Sequence, residues 1–496
     1  MIMVPHLFFS SNANWRWFIL ATVLIGATMS ALDVSIANIA LPTLKKYYDV
    51  SLSLDEWIAM AYMLTLTIFL PFFGRLADMF GRTKMYKVGF IIFTVGSAFC
   101  GLAPSIVFMI ISRIIQAVGA GLLQANSVAI ITQSFPKNEL GKAIGIQGSV
   151  QAISMAIGPF LGGLLINLNL FGTQWRSIFY INVPIGIIGI FAALFILPQD
   201  KKPKVKEKMD YGGCISFAAA LLFLTLALNE SRKLGWVSET IITYLFLFVI
   251  LFCVFIVTEH KFNCPMMDFK LYKIYDFSAG IITAFFSYYV LFGVLFIMPF
   301  YLENILKFSA FAAGALLTPM PITMSLVAPI AGTLSDRYGP KIMTSLGMLI
   351  CAIASFCLIF CSRSPHVGFL ITEFAALGFG MGLFTPPNNS SVMCSVPEER
   401  LGSAGGILNM MRASGNVFGI DLSGLIISSI TAAYLSTRGY MHINALNIPQ
   451  QIREDGFMHG FVVVTITFTV VSLLSAIFTM TKKGRAKMAK EHFFLE

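Results

Sequence analysis

Gly74-Arg75-Leu76-Ala77-Asp78-Met79-Phe80-Gly81-Arg82-Thr83-Lys84 is a short charged turn set between two long apolar runs. Its glycines permit a tight bend and close approach of the flanking helices. Asp78 can accept hydrogen bonds from a helix N-terminus or pair with Arg82 one turn along. The stretch recurs as Gly332-Thr333-Leu334-Ser335-Asp336-Arg337-Tyr338-Gly339-Pro340, at an offset of 258. Further on, Ser134-Phe135-Pro136 with Gly141 and Gly145 recurs as Ser395-Val396-Pro397 with Gly402 and Gly406, at an offset of 261. Two blocks that agree within three residues make an internal repeat. Six apolar runs thus match six later ones in parallel, with two more inserted between them.

The apolar runs cover residues 15–42, 56–77, 86–103, 105–131, 140–168, 177–197, 210–230, 237–258, 275–303, 308–334, 342–361, 366–388, 401–433 and 457–480. A spanning helix needs roughly 20 apolar residues, and lipid obliges each backbone polar group to be satisfied within its own helix. The chain is 57% hydrophobic and 12% charged, against about 25% charged in soluble domains. Its mean hydropathy is +0.80. The expected fold is therefore an all-α membrane protein: two six-helix bundles in parallel pseudo-repeat plus two extra central helices, fourteen transmembrane helices in all. The expected divisions are an N-terminal bundle, 1–197, and a linker with two inserted helices, 198–270. A C-terminal bundle, 271–481, and a basic tail, 482–496, complete the chain.

An even number of spans puts both termini on one side, and positive charge selects which. With the termini cytoplasmic, the inner loops and tail hold 22 of the basic residues assigned to loops and the outer loops hold 9. The expected location is the cell (inner or plasma) membrane, multi-pass. The run from Lys201 to Lys208 reads as a cytoplasmic linker attracted to anionic lipid, not as a nucleic-acid site. The eight cysteines have no paired loop spacing and read as small buried hydrophobes, and neither a metal site nor a cofactor is expected.

Carboxylates inside apolar runs are costly and mark function or a tightly bonded structural role. Asp33 lies in span 1, about nine residues from Pro42, and Arg113 in span 4, about eight residues from its outer end. At 1.5 Å per residue both are roughly 12–14 Å deep, so they can form a pair or a water-bridged relay. Arg113 stays charged and would tune the exchange of a proton at Asp33. Glu373 in span 12 and Asp421 in span 13 are further candidates for binding a proton or a cation; the bland alternative for each is a packed, hydrogen-bonded group. Gln116, Phe292, Asn388, Asn409 and Met410 are weaker candidates for lining a cavity, since most such side chains simply fill space between helices.

The repeated turn resembles the signature loop of the major facilitator superfamily. Leu32-Asp33-Val34-Ser35-Ile36-Ala37-Asn38-Ile39-Ala40-Leu41-Pro42 resembles the span-1 signature of its fourteen-helix drug:proton antiporters. Arg113-Ile114-Ile115-Gln116-Ala117-Val118-Gly119 is similar to their RxxQGxG pattern, with Ala117 in place of a glycine, and Gly158-Pro159-Phe160-Leu161-Gly162-Gly163 to their GPxxGG. The resemblance implies that Gly74, Asp78, Gly81 and Arg82 form a cytoplasmic latch that stabilises an outward-facing state. In the second copy Pro340 and Ile342 replace Arg82 and Lys84, so a latch there should be weaker. Gly158, Pro159, Gly162 and Gly163 would act as a hinge and seal, and Asp33, Arg113, Glu373 and Asp421 in proton coupling.

The function implied is proton-coupled export of hydrophobic and cationic compounds by alternating access. Protons, membrane lipid and such substrates are the expected partners, together with a periplasmic adaptor if the cell has two membranes. The alternative keeps the fold and changes the cargo to a lipid, fatty acid or siderophore. No GxxxxGK loop is present for nucleotide, and the six histidines lie at termini, loops or span edges, which argues against an enzyme. A non-transporting sensor would not need several buried carboxylates.

Overall fold

The computed structural model describes residues 14–49, 52–136, 138–168, 175–200, 211–234, 238–261, 269–308, 310–360, 365–438, 440 and 449–481. The linker run 201–208 and the tail 482–496 lie outside them. So do the side chains of Pro159 and Gly163.

The apolar runs are helices. The N-terminal half contains α1 (Trp15–Tyr48), α2 (Leu52–Phe80), α3 (Arg82–Leu102), α4 (Ile106–Ser134), α5 (Leu140–Leu168), and the broken pair α6 (Arg176–Tyr180) and α7 (Asn182–Ile196). Next come α8 (Tyr211–Leu234), α9 (Glu239–Lys261) and the short α10 (Phe269–Tyr272). The C-terminal half contains α11 (Tyr275–Phe300), α12 (Ala310–Leu317), α13 (Pro319–Tyr338), α14 (Pro340–Leu358), α15 (Val367–Cys394), α16 (Leu401–Thr437) and α17 (Gln450–Met480).

Local chemistry sets several boundaries. The Ser105 side chain caps α4 by accepting from the Phe108 backbone N–H at 3.3 Å. Pro340 opens α14, where a missing N–H costs nothing. The repeated turns both pass through a glycine with positive φ, 103° at Gly81 and 89° at Gly339, a conformation that other residues adopt only with strain.

Twelve helical segments among the described residues are long and apolar enough to cross a membrane. This corrects the expected fourteen. Among the described residues the apolar stretch of α8 runs from Gly212 to Ala227, which is not among the twelve. The other expected span outside the twelve is α5, whose first half carries Gln147, Ser149, Gln151 and Ser154 and whose second half is only partly described.

Within the N-terminal half, α4 packs on α2 and α3, and α1 on α5; within the C-terminal half, α11 packs on α16, and α15 on α13 and α14. The two most extensive crossings between the halves are α2 against α16, and α5 against α13. They are equivalent under the sequence repeat. Gly74 of α2 faces the carbonyl oxygen of Gly402 on α16, and Gly332 of α13 faces that of Gly141 on α5, so closely that an added methyl group would collide in either place. Small residues permit this backbone-to-backbone contact where lipid offers no hydrophobic drive for association.

The buried cores differ at the two ends of the molecule. Near the crossings one core is shared by both halves, with Leu70, Phe73 and Ala125 joined to Val392, Ala404 and Met410. Towards the far end there are two cores. One holds Ile36, Ile58, Trp175 and Phe179 of the N-terminal half, and the other Val294, Met298, Phe374 and Phe461 of the C-terminal half.

Candidate functional site

At the crossing end, two aspartates each cap a helix of the opposite half. Asp78, at the last turn of α2, accepts from the backbone N–H of Gly402 at 2.8 Å and from that of Ser403 at 2.7 Å. It also accepts from the Ser403 hydroxyl at 2.7 Å. These donors belong to the first turn of α16, whose unpaired N–H groups and positive dipole end favour an anion. Arg82 holds the carboxylate from behind at 2.8 Å and donates to the Glu398 carbonyl oxygen at 2.6 Å. Both side chains are buried, at 3% and 7% exposure, so water screens the ion pair little.

Asp336, at the last turn of α13, does the same to α5. It accepts from the backbone N–H of Gly141 at 3.0 Å and of Lys142 at 3.1 Å. Pro340 stands where the first copy has Arg82 and supplies no guanidinium. Farther in, the Ser149 hydroxyl donates to the Ser325 carbonyl oxygen at 2.6 Å, and the Asn409 amide to the Gln124 carbonyl oxygen at 3.1 Å. Asp200 caps α3, accepting from the N–H groups of Thr83 and Lys84 at 2.9 and 2.8 Å.

The second cluster lies inside the N-terminal half. Arg113 donates to Asp33 at 2.6 Å, and both are buried completely or nearly so. Asp33 also accepts from Gln116 at 2.8 Å and from Asn182 at 3.1 Å. Gln116 in turn accepts from Arg113 at 2.7 Å and donates to Ser97 at 2.8 Å. The guanidinium lies over the Tyr62 ring at 4.2 Å and donates to the Ile58 carbonyl oxygen at 3.3 Å. Five helices thus converge on one carboxylate–guanidinium pair, and its hydrogen-bonding capacity is largely used. Such a pair is stable with both partners present and costly when one is removed.

The remaining candidates are dispersed. Glu373 is buried on α15, and its Oε2 has no hydrogen-bond partner. Asp421 lies half-buried on α16. Asn388 is spent on the Gly280 carbonyl oxygen at 3.0 Å, tying α15 to α11. Phe292 stacks on Tyr288 with centroids 6.3 Å apart. Gln116 belongs to the Asp33 cluster, and Met410 to the shared core. A methyl group on Gly158 would strike Ser35 of α1, and Gly162 is buried.

Sequence reasoning missed Asn182 and Ser97, which complete the Asp33 cluster, and Arg412. Arg412 is buried on α16, donates to Asn409 at 3.1 Å and lies over the Tyr288 ring at 5.0 Å. An arginine in mid-span was its available signal.

Residues 23–420 match the family model described as Major Facilitator Superfamily. The chain is similar to the riboflavin transporter RibZ of Clostridioides difficile, 37% identical over 400 residues, which cover 80% of this chain and 85% of the relative. It is 30% identical over 420 residues to the multidrug resistance protein Stp of Mycobacterium tuberculosis, covering 84% of this chain and 76% of the relative. Among solved structures, the proton:xylose symporter XylE aligns with a TM-score of 0.61 at 16% identity, covering 94% of this chain and 95% of that one, a likeness of fold.

Proposed function

The chain belongs to the major facilitator superfamily, and from that membership we propose that it is a proton-coupled exporter of hydrophobic small molecules working by alternating access. The observation that carries the reading is the pair of repeat-related clasps, Asp78 on the first turn of α16 and Asp336 on the first turn of α5. Both act at one end, where the halves share a core, while the far end keeps two separate cores. This is an interface that can release at one end as the other closes.

The charge bias of the loops supports a cytoplasmic clasp end, in the inner or plasma membrane, with both termini cytoplasmic. A closed clasp then corresponds to an outward-facing state. Relatives named as multidrug resistance and export proteins support outward transport of drug-like compounds, and the relative named as a riboflavin transporter supports a ring-bearing cargo.

Proton coupling is assigned to Asp33 and Glu373. Protonation of Asp33 would release Arg113 and loosen the five-helix cluster. Glu373, with an unpartnered carboxyl oxygen, could gain a proton without breaking an ion pair. Flux driven by a pH gradient in proteoliposomes, measured with a panel of lipophilic compounds, tests the reading. Wild type should transport, and Asp33→Asn and Glu373→Gln should lose gradient dependence. Full gradient-driven transport in both variants would defeat the coupling assignment.

A further inference from the structure

The centre of the molecule carries a cation where a transporter of cations would place a carboxylate. Arg412 lies eleven residues into α16 and Tyr288 thirteen into α11. At 1.5 Å per residue both sit roughly 17–20 Å from the clasp end, close to the middle of the bilayer. Arg412 is more than nine-tenths buried, and its Nε has no hydrogen-bond partner. Its contacts are an amide, Asn409, and an aromatic face, Tyr288, and no carboxylate among the described residues pairs with it. An arginine inside a membrane is stable only beside an anion, a polar network or a water-filled cavity.

The site is built across both halves. Gln124 of α4 donates to Ser30 of α1 at 2.5 Å, and its carbonyl oxygen accepts from Asn409, which accepts from Arg412. One turn beyond Arg412, on the same face of α16, Asn416 carries a buried amide oxygen that also lacks a partner. Alongside runs a half-buried aromatic stripe on α11: Phe285, Tyr288 and Phe292. An orphaned guanidinium N–H, an orphaned amide oxygen and flat aromatic faces are thus carried by two helices packed on each other, α16 and α11.

We propose that Arg412, Asn416 and the α11 aromatic stripe bind flat aromatic anions, with the anionic oxygen on the guanidinium and the ring against Tyr288 and Phe292. The proposal names the substrate class of the exporter and so rests on that reading. It departs from the cationic cargo expected from the intramembrane carboxylates. Asp33 is already occupied by Arg113, Gln116 and Asn182, and so is not offered to a substrate cation.

Fluorescein and pyronin Y share a three-ring xanthene and carry opposite charge. Binding of each to the purified full chain is read by fluorescence anisotropy, at a pH where fluorescein is ionised. The unmodified protein should bind fluorescein at least about tenfold more tightly than pyronin Y, the scale of one charge-assisted contact. Arg412→Gln should bring the ratio near one, and Arg412→Lys should keep part of the preference. Equal binding, preference for pyronin Y, or binding of neither dye by the unmodified protein overturns the proposal, and none of these outcomes depends on a variant folding. Efflux of both dyes driven by a pH gradient separates the two readings. Preferential binding without gradient-driven efflux defeats the exporter and leaves the site. Gradient-driven efflux with cation preference defeats the site alone.

Discussion

Asp78 accepts a 2.7 Å hydrogen bond from the backbone N–H of Ser403, 325 residues farther along the chain. Asp336 accepts from Gly141 and Lys142 in the equivalent place, so the molecule is closed at one end by two copies of one contact. Arg82 stands behind the first, and Pro340 occupies the equivalent position in the second. On that difference in sequence the first clasp is expected to be the stronger.

Replacing Asp78 by Asn removes the charge that faces the α16 N-terminus and takes away the counter-ion of Arg82, leaving it the Glu398 carbonyl oxygen. Hydrogen bonds to charged groups contribute about 1.5–3 kcal/mol each. Spin-label distances across the clasp end should show a large shift towards the open form. Asp336→Asn should shift the same distances less. Equal shifts would mean that Arg82 adds nothing.

Asp33→Asn leaves Arg113 buried without its counter-ion, which typically costs about 3–5 kcal/mol. Thermal unfolding in detergent should fall markedly for this variant. The double variant Asp33→Leu with Arg113→Leu should recover most of the stability while gradient-driven flux stays absent. Recovery of flux by the double variant would make the pair structural.

Glu373→Gln removes a carboxyl group that forms no ion pair among the described residues, so its melting temperature should be unchanged or higher. Transport down a substrate gradient should survive, while acceleration by a pH gradient should be lost. Unaltered dependence on the pH gradient would remove Glu373 from the coupling.

Gly74→Ala and Gly332→Ala each drive a methyl group into a carbonyl oxygen of the opposite half. Cysteine accessibility at the clasp end should rise in both. Gly314→Ala on α12 meets no atom of the described residues within 4 Å and should behave as wild type. A rise in all three would point to a general loss of helix packing.

The clasp was legible in sequence because its two copies survive at nearly constant spacing. Offsets of 258 and 261 pair Gly74 with Gly332 and Gly141 with Gly402, and the structure joins these four crosswise. Asp33 and Arg113 were matched by depth alone, which works because both stand on long, regular helices. Asn182 was not legible: it reaches Asp33 from another helix, α7, at a sequence distance of 149, and neither period nor depth singles it out. Arg412 was hidden by its surroundings of small residues, Ala413, Ser414 and Gly415, which read as packing. The helix count differs at α8 and α5, whose apolar stretches fall only partly within the described residues.

The single core at the clasp end and the paired cores at the other have a thermodynamic consequence. In the proposed alternating-access cycle, opening the clasp would wet residues such as Leu70, Phe73 and Met410, while closing the far end would dry apolar surface there. Heat capacity follows exposed apolar area, so a balanced exchange leaves little net change. The equilibrium between the two states should then vary only gently with temperature, like a see-saw with equal arms. Calorimetric titration between conformation-trapped forms would read that flatness directly.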